Sequence, residues 1–302
     1  MNALVTGGAG FIGSNLVDYL YENGHDVVVI DNESAESNEK FYWKKRGVKN
    51  LGDDITSLDC MKALFNREKI DTVFHLAAES RIQPTLKNPI KACKTNFIGT
   101  CNLLQAARES GTKRFIYSST SSAYGLKNEP PLKEDMPRDC LNPYSVTKVA
   151  AEDLCKMYHT LFGMETIIFR YFNVYGERQP LRGQYAPVVG IFLRQKNNGE
   201  PMTIVGDGHQ RRDFTHVNDV VKANFLAATT TNKEVFGEVL NVGTGRNHSV
   251  KELADLIGGE QKHIDPRPAE AAVTLADISK IKKLLGWEPE VVFEDWIANN
   301  NA

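Results

Sequence analysis

Six alternations of a short apolar run with a helix-periodic stretch, a glycine-punctuated turn after the first run, and a change of rhythm near residue 171 predict an α/β fold. The expected architecture is a Rossmann-type doubly wound parallel sheet over residues 1–170. A smaller α/β C-terminal domain over 171–302 follows, with some of its segments returning to the first domain.

The opening unit reads strand, turn, helix, strand. Ala3 to Thr6 is apolar with a β-branched residue, and TGGAGFIG leads into Phe11 to Tyr21, whose apolar positions recur at helical spacing. Gly7, Gly10 and Gly13 have separate tasks: a tight turn, close approach of backbone to a pyrophosphate, and close packing of helix on strand. The free N–H groups of the helix start face the phosphates. Val27 to Ile30 is the second strand, and it ends at Asp31, eighteen residues after Gly13. A carboxylate there accepts hydrogen bonds from both adenosine ribose hydroxyls and repels a 2′-phosphate, which favours NAD over NADP.

The later elements follow the same alternation. Asn32 to Arg46 is a polar loop with some helix beside the adenosine, and Val48 to Leu51 is a third strand. Asp54 then stands where a side chain meets the adenine edge, before a helix from Ser57 to Arg67. Asp71 to Leu76 is the fourth strand; His75 within it reads as an inert buried histidine, and Ala77-Ala78 lets backbone lie against a dinucleotide. Pro89 to Arg108 reads as one long helix with Asn96 inside it. That amide needs a partner, because burying it unpaired costs about 1–3 kcal/mol, and it is placed to anchor the nearby active-site loop. Lys113 to Tyr117 is the fifth strand, and Ser118 to Ser122 gives five consecutive hydroxyls at the sheet's carboxyl edge, where open α/β sheets place ligands. A helix from Asn142 to His159 and a sixth strand from Glu165 to Arg170 complete the first domain. Beyond Tyr171 come GERQPLRGQYAP, the strand signal MTIVGDG, and helices from Val217 to Thr229 and Val250 to Ile257.

Charge and composition narrow the function. With 36 basic against 38 acidic residues in a chain of 302, no broad field calls for nucleic acid or a membrane surface. No apolar run approaches the roughly 20 residues of a membrane span, and the N-terminus enters a strand directly, so a cytoplasmic protein is expected. Five cysteines without a Cys-x-x-Cys pair or histidine partners imply reduced thiols and no metal.

The chemistry lies in Tyr144-Ser-Val-Thr-Lys148. Residues at i and i+4 leave one face of a helix, so a phenol and an ammonium share one site. A free tyrosine titrates near pH 10, and each unit of depression takes about 1.4 kcal/mol of phenolate stabilisation. The ammonium is expected to supply it, with an oxidised nicotinamide pulling in the same direction.

TGGAGFIG, HLAA, SSTSSAYG, NPYSVTK, RYFNVYG and RRDFTHV together resemble the extended short-chain dehydrogenase/reductase family over essentially the whole chain, most closely its UDP-glucose 4-epimerase branch. The resemblance implies that Tyr144 is the catalytic base, that Lys148 binds the nicotinamide ribose, that Thr120 completes the triad, and that Ser122 faces the sugar. It implies NAD contacts from Gly7, Gly10, Phe11, Ile12, Gly13, Asp31, Asn32, Asp54, Ile55, Leu76, Ala77, Ala78, Asn96, Ser118, Tyr144, Lys148, Tyr171 and Phe172. Thr120, Tyr144, Asn173, Arg212, Arg267 and Glu270 are the implied contacts to a UDP-sugar, although Pro268-Ala269 departs from the usual glycine-containing spacing. Thr274 falls at the position that gates the C2 substituent, and its small size implies room for N-acetylated as well as plain hexoses.

Ser121-Ser122 stands where nucleotide-sugar dehydratases carry Asp-Glu, and a decarboxylase would have Glu at Ser122. Reversible redox at C4, through a transient 4-keto sugar, is the expected reaction. A dehydratase or other NAD-dependent enzyme on a nucleotide sugar is the alternative, and a non-catalytic dinucleotide sensor is a third class. The resemblance also implies a homodimer through the helices at 89–108 and 142–159.

Overall fold

The structure is a computed structural model that describes residues 1–34, 47–182, 186–266 and 271–301. The segment expected from Asn32 to Arg46 lies outside the described residues from 35 onward, and Arg267 and Glu270 lie outside them altogether.

Strands β1 (Asn2–Thr6) and β2 (Asp26–Ile30) flank helix α1 (Phe11–Glu22). Strand β3 (Lys49–Leu51), helix α2 (Leu58–Glu68) and strand β4 (Thr72–His75) come next. A short helix α3 (Ile82–Lys87), which the sequence pattern did not announce, precedes α4 (Pro89–Ala92). After α5 (Thr100–Glu109) come β5 (Arg114–Thr120), the long helix α6 (Pro143–Phe162) and β6 (Glu165–Tyr171). Alternate strand residues divide between two cores, as a sheet covered on both faces requires. Ala3, Val5, Val27 and Val29 pack with Leu16 and Val17 of α1, while Leu4, Val28 and Ile30 pack with Met61 of α2, Leu103 of α5 and Ala151 of α6.

Two expected boundaries moved. The single helix expected at 89–108 is interrupted by a π-helical segment, Cys93–Gly99, between α4 and α5. Its widened turns carry Asn96 inward, and Thr100 donates from Oγ1 to the Asn96 carbonyl at 2.6 Å. Strand β5 runs three residues past Tyr117, because Ser118, Ser119 and Thr120 pair in parallel register with Phe169, Arg170 and Tyr171 of β6. The first three hydroxyls of the cluster therefore belong to the strand.

Beyond β6, the chain forms β7 (Val174–Tyr175), α7 (Val188–Asn197), β8 (Met202–Val205), β9 (Arg211–Arg212), β10 (Thr215–His216) and α8 (Val217–Thr229). It ends with β11 (Val239–Val242), β12 (His248–Ser249), α9 (Val250–Ile257), β13 (Gln261–Ile264), α10 (Ser279–Leu285) and α11 (Phe293–Asn299). Strand β8 pairs in parallel with β13, and Phe192, Ile204, Phe214, Leu253 and Phe293 make a separate small core. Strand β11 instead joins the large sheet beside β6, giving the order β11-β6-β5-β4-β1-β2-β3, and Val220 and Ala227 of α8 share a core with α1. Among the described residues no helix is long and apolar enough to cross a membrane.

Gly13 is the tightest point of the first unit. A Cβ there would lie 2.2 Å from the Gly7 carbonyl oxygen, which is backbone and cannot turn aside. Gly13→Ala is therefore expected to destabilise the chain by about 1–3 kcal/mol, the range for overpacking. Urea unfolding checks this, and an unchanged midpoint would contradict the packing.

Candidate active site

All pairings in the large sheet are parallel, and the strand order reverses between β1 and β4. Loops leaving the carboxyl ends part there and open a crevice. A cavity of about 1160 Å³ occupies it. One end is lined by Gly7, Gly10, Phe11, Ile12, Gly13, Asp31, Asn32, Asp54, Ile55, Leu76, Ala77 and Ala78. Ser118 to Ser122, Tyr144, Lys148 and Tyr171 line its middle, and Asn173, Gln210, Arg212 and Phe214 line it on the side of the small core.

The first end fits a dinucleotide. Gly7 has φ +69, and a Cβ there would meet the Ala77 nitrogen at 2.6 Å, so the turn is closed to any side chain. Gly10 is the N-cap of α1 and supplies no side-chain acceptor, which leaves the amino end of the helix for an anion. The Asp31 carboxylate accepts from the backbone N–H of Ala9 on one oxygen and of Glu33 on the other, each at 2.8 Å. Both oxygens keep a further lone pair for a ribose hydroxyl. Burial pushes the Asp31 carboxyl up, against the pull of those two bonds. Asp54 accepts from the Asn32 amide at 2.8 Å; burial works upward on it, but hydrogen bonds from Thr56 and Asn32 outweigh that and hold it below its ordinary value.

Helix α6 begins where the chemistry needs it. Asn142 accepts from the Ser145 N–H at 2.9 Å in a reciprocal capping box, and Pro143 takes the first turn, where its missing N–H is no loss. Tyr144 and Lys148 then point into the middle of the cavity. The Thr120 hydroxyl is bonded to the Tyr144 phenol and accepts from the Ser122 N–H at 3.1 Å. The Lys148 Nζ lies 4.3 Å from the centre of the Tyr117 ring. His75, fully buried between the hydroxyls of Thr6 at 2.7 Å and Thr100 at 2.8 Å, is held well below its ordinary value by burial and by the Lys148 charge. It is a core histidine, as expected.

The electrostatics differ from the sequence expectation in one respect. Burial is the largest effect on both members of the pair: it pushes the Tyr144 phenol up and the Lys148 ammonium down to about 7. The downward pull on Tyr144 comes from the Thr120 hydroxyl and from the charge of Arg81, not from Lys148. Arg81 lines the cavity and was missed in the sequence. The signal available was its place four residues after Ala77 at the same sheet edge.

Three expected contacts are placed elsewhere. Asn96 does not line the cavity: its amide grips the Glu79 backbone, accepting from N–H at 2.7 Å and donating to the carbonyl at 3.1 Å, and donates to Thr147 at 3.0 Å. It anchors the 77–81 loop. Phe172 is buried against Tyr124, with ring centres 6.1 Å apart, because the small cluster around Tyr124 and Leu132 takes its ring. The Thr274 hydroxyl accepts from the Asp213 N–H and the Asn173 amide, both at 3.3 Å, and lies outside the lining.

The family model for GDP-mannose 4,6 dehydratase matches residues 4–300. A UDP-glucose 4-epimerase of Mycolicibacterium smegmatis is 35% identical over 99% of this chain and 96% of its own. A UDP-glucose 4-epimerase of Thermotoga maritima, solved with UDP-glucose, superposes with a TM-score of 0.92 at 37% identity, covering 100% of this chain and 97% of its own. A UDP-glucuronic acid 4-epimerase of Bacillus cereus, solved with UDP-glucuronic acid and NAD, gives 0.89 at 32% identity, over 100% and 98%.

A lysine held neutral by burial has a thermodynamic signature. Between about pH 7 and 10.5 the unfolded ligand-free chain binds a proton at Lys148 that the folded one does not, so stability rises with pH across that window. Lys148→Met is expected to flatten the rise. Urea midpoints at pH 7 and pH 9.5 check it, and an unaltered slope in the variant would sink the assignment.

Proposed function

The chain belongs to the extended short-chain dehydrogenase/reductase family, in its UDP-glucose 4-epimerase branch, and from that premise we propose that it inverts C4 of a UDP-hexose with NAD as its resident cofactor. The observation that carries this reading is Tyr144, bonded to Thr120 and one helical turn from Lys148, midway along a cavity that runs from Asp31 to Arg212. NAD would supply a reversible hydride acceptor for C4, and its oxidised form would favour the phenolate. Asp31 and the amino end of α1 would hold it. Tyr144 as phenolate takes the proton of the 4-hydroxyl, Thr120 orients that oxygen, and Tyr144 gives the proton back once the hexose has turned its other face. Arg212 and Asn173, at the far side, hold the diphosphate so that the sugar turns without leaving.

Elimination is disfavoured by what surrounds Thr120. Ser121 and Ser122 line the cavity there, and among the described residues its carboxylates are Asp31, Asp53, Asp54 and Glu79, the last paired with Lys91 at 2.6 Å. None stands in the hydroxyl run to move the proton of a departing water.

Arg81 favours a second reading of the sugar. A guanidinium whose charge reaches the phenol suits a hexose with a carboxylate, a hexuronate, as in the Bacillus cereus protein. The test presents UDP-glucose, UDP-N-acetylglucosamine and UDP-glucuronate separately and follows the products by proton NMR. The C4 epimer is expected without net NADH, and Tyr144→Phe is expected to keep NAD but lose about 10²–10⁴-fold in turnover. Build-up of a 4-keto product, or near wild-type rates in the variant, would contradict the mechanism. Preference for UDP-glucuronate that Arg81→Leu abolishes selects the hexuronate.

The assembly we propose is a homodimer. Ile90, Ile98, Val146 and Leu161 are exposed on α4, the π-helical segment and α6, which pack beside one another. Sedimentation velocity is expected to give twice the chain mass, with Val146→Asp shifting it to the monomer; a monomeric wild type would refute this.

A further inference from the structure

Glu152 lies eight residues after Tyr144 and four after Lys148, on the same face of α6, and it is completely buried. Its Oε1 accepts from the Ser119 hydroxyl at 2.5 Å and from the Arg170 Nε at 2.9 Å, and its Oε2 accepts from the Arg170 Nη2 at 2.8 Å. Arg170 is 2% exposed and its guanidinium lies 4.8 Å from the centre of the Tyr124 ring. Ser119 and Arg170 are register partners on β5 and β6. One carboxylate therefore ties the helix that carries Tyr144 and Lys148 to two strands, at the residue next to Thr120.

A buried ion pair is poor at stabilising a fold, since desolvating both charges offsets their attraction, and apolar residues of equal volume often do as well. What it supplies is direction. Packing of Ala151 and Cys155 on the sheet is apolar and tolerates sliding, whereas three short hydrogen bonds do not. A helix displaced by one residue moves about 1.5 Å along its axis, enough to part a phenol from its hydroxyl partner.

We propose that Glu152 is a positioning residue for the reaction: clamped by Ser119 and Arg170, it sets the axial register of α6 against β5, and so the distance from Tyr144 to Thr120, and its carboxylate sets the charge that Lys148 meets. This rests on the roles given above to Tyr144, Lys148 and Thr120. The groups around Lys148 are the Tyr117 ring and His75 from the sheet, and Tyr144, Glu152 and Cys155 from its own helix. Those around Glu152 are Ser119, Tyr117 and Arg170 from the strands, Lys148 and Cys155 on α6, Cys140, and Arg138, 3.9 Å away and itself paired with Asp153. Of these, the Glu152 carboxylate favours the ammonium, against burial; Cys155, pushed up by burial, is a neutral thiol. Removing the carboxylate also leaves the Arg170 charge uncompensated, and both changes move Lys148 toward its neutral form.

Glu152→Gln is expected to lower kcat by about 10–100-fold with KM within twofold, and to bring the alkaline limb of the kcat profile to lower pH. The ¹⁵N titration of the Lys148 ammonium, assigned by its loss in Lys148→Met, is expected to move down by about one unit. That readout does not need turnover, so an inactive wild type would refute the proposed reaction without touching the proposal about Glu152. Should Glu152→Gln fail to fold, the apolar pair Glu152→Leu with Arg170→Met keeps the volume and is expected to show the same kcat loss. Ser119→Ala, which leaves the ion pair whole, is expected to lose several-fold in kcat. Folded variants with wild-type kcat and an unmoved Lys148 titration, differing only in thermal midpoint, would reduce the cluster to a structural ion pair and overturn the proposal.

Discussion

The docking of α6 on β5 is the contact on which the site depends. The helix brings the phenol and the amine, the strand brings the hydroxyl, and neither carries the chemistry alone. Asn142 closes the amino end of the helix with a capping box, Gly163 terminates it at φ +70, and Asn96 donates to Thr147 on its flank. The same Asn96 grips the loop after β4, so one amide joins the helix to the second wall of the cavity. The π-helical segment is what allows this, since its wider turn presents Asn96 inward without breaking the helical run.

The electrostatic state of the free site follows from its burial. Burial costs a phenolate or an ammonium part of its solvation, and both groups shift toward their neutral forms. The ligand that enters must then bring charge with it, and a cavity with Asp31 and an open helix terminus at one end and arginines beyond is built to take such a ligand by its phosphates and riboses. The Thr120 hydroxyl and the Arg81 charge pull the Tyr144 phenol down, against burial.

Local patterns were readable where short-range physics governs. The glycine turn, Asp31 after β2, the start of α6 beside Asn142 and the i, i+4 relation of Tyr144 and Lys148 each depend on neighbours in the chain, and each stands in the structure as expected. The continuous apolar runs of β1 and β2 suit the sheet covered on both faces that the structure shows. Legibility ended where partners come from far along the chain. Phe172 and Thr274 sit in family-like motifs, yet Tyr124 claims the one and Asn173 with Asp213 claims the other, partners tens of residues away in sequence. Strand β5 outran its apolar run because β6 offered register partners to three hydroxyl residues.

By itself, then, the sequence determined the alternation of strands and helices in the first domain, the glycine turn and the placing of Tyr144 and Lys148 on one helical face, because hydrophobic period, φ at glycine and helical spacing act within a few residues. Tertiary structure alone decided which polar side chains face the cavity and which serve the scaffold. A buried hydrogen-bonding group must find a partner wherever the fold supplies one. Arg81 beside the phenol and Glu152 between Ser119 and Arg170 were placed by packing across the sheet, a relation that no spacing along the chain encodes.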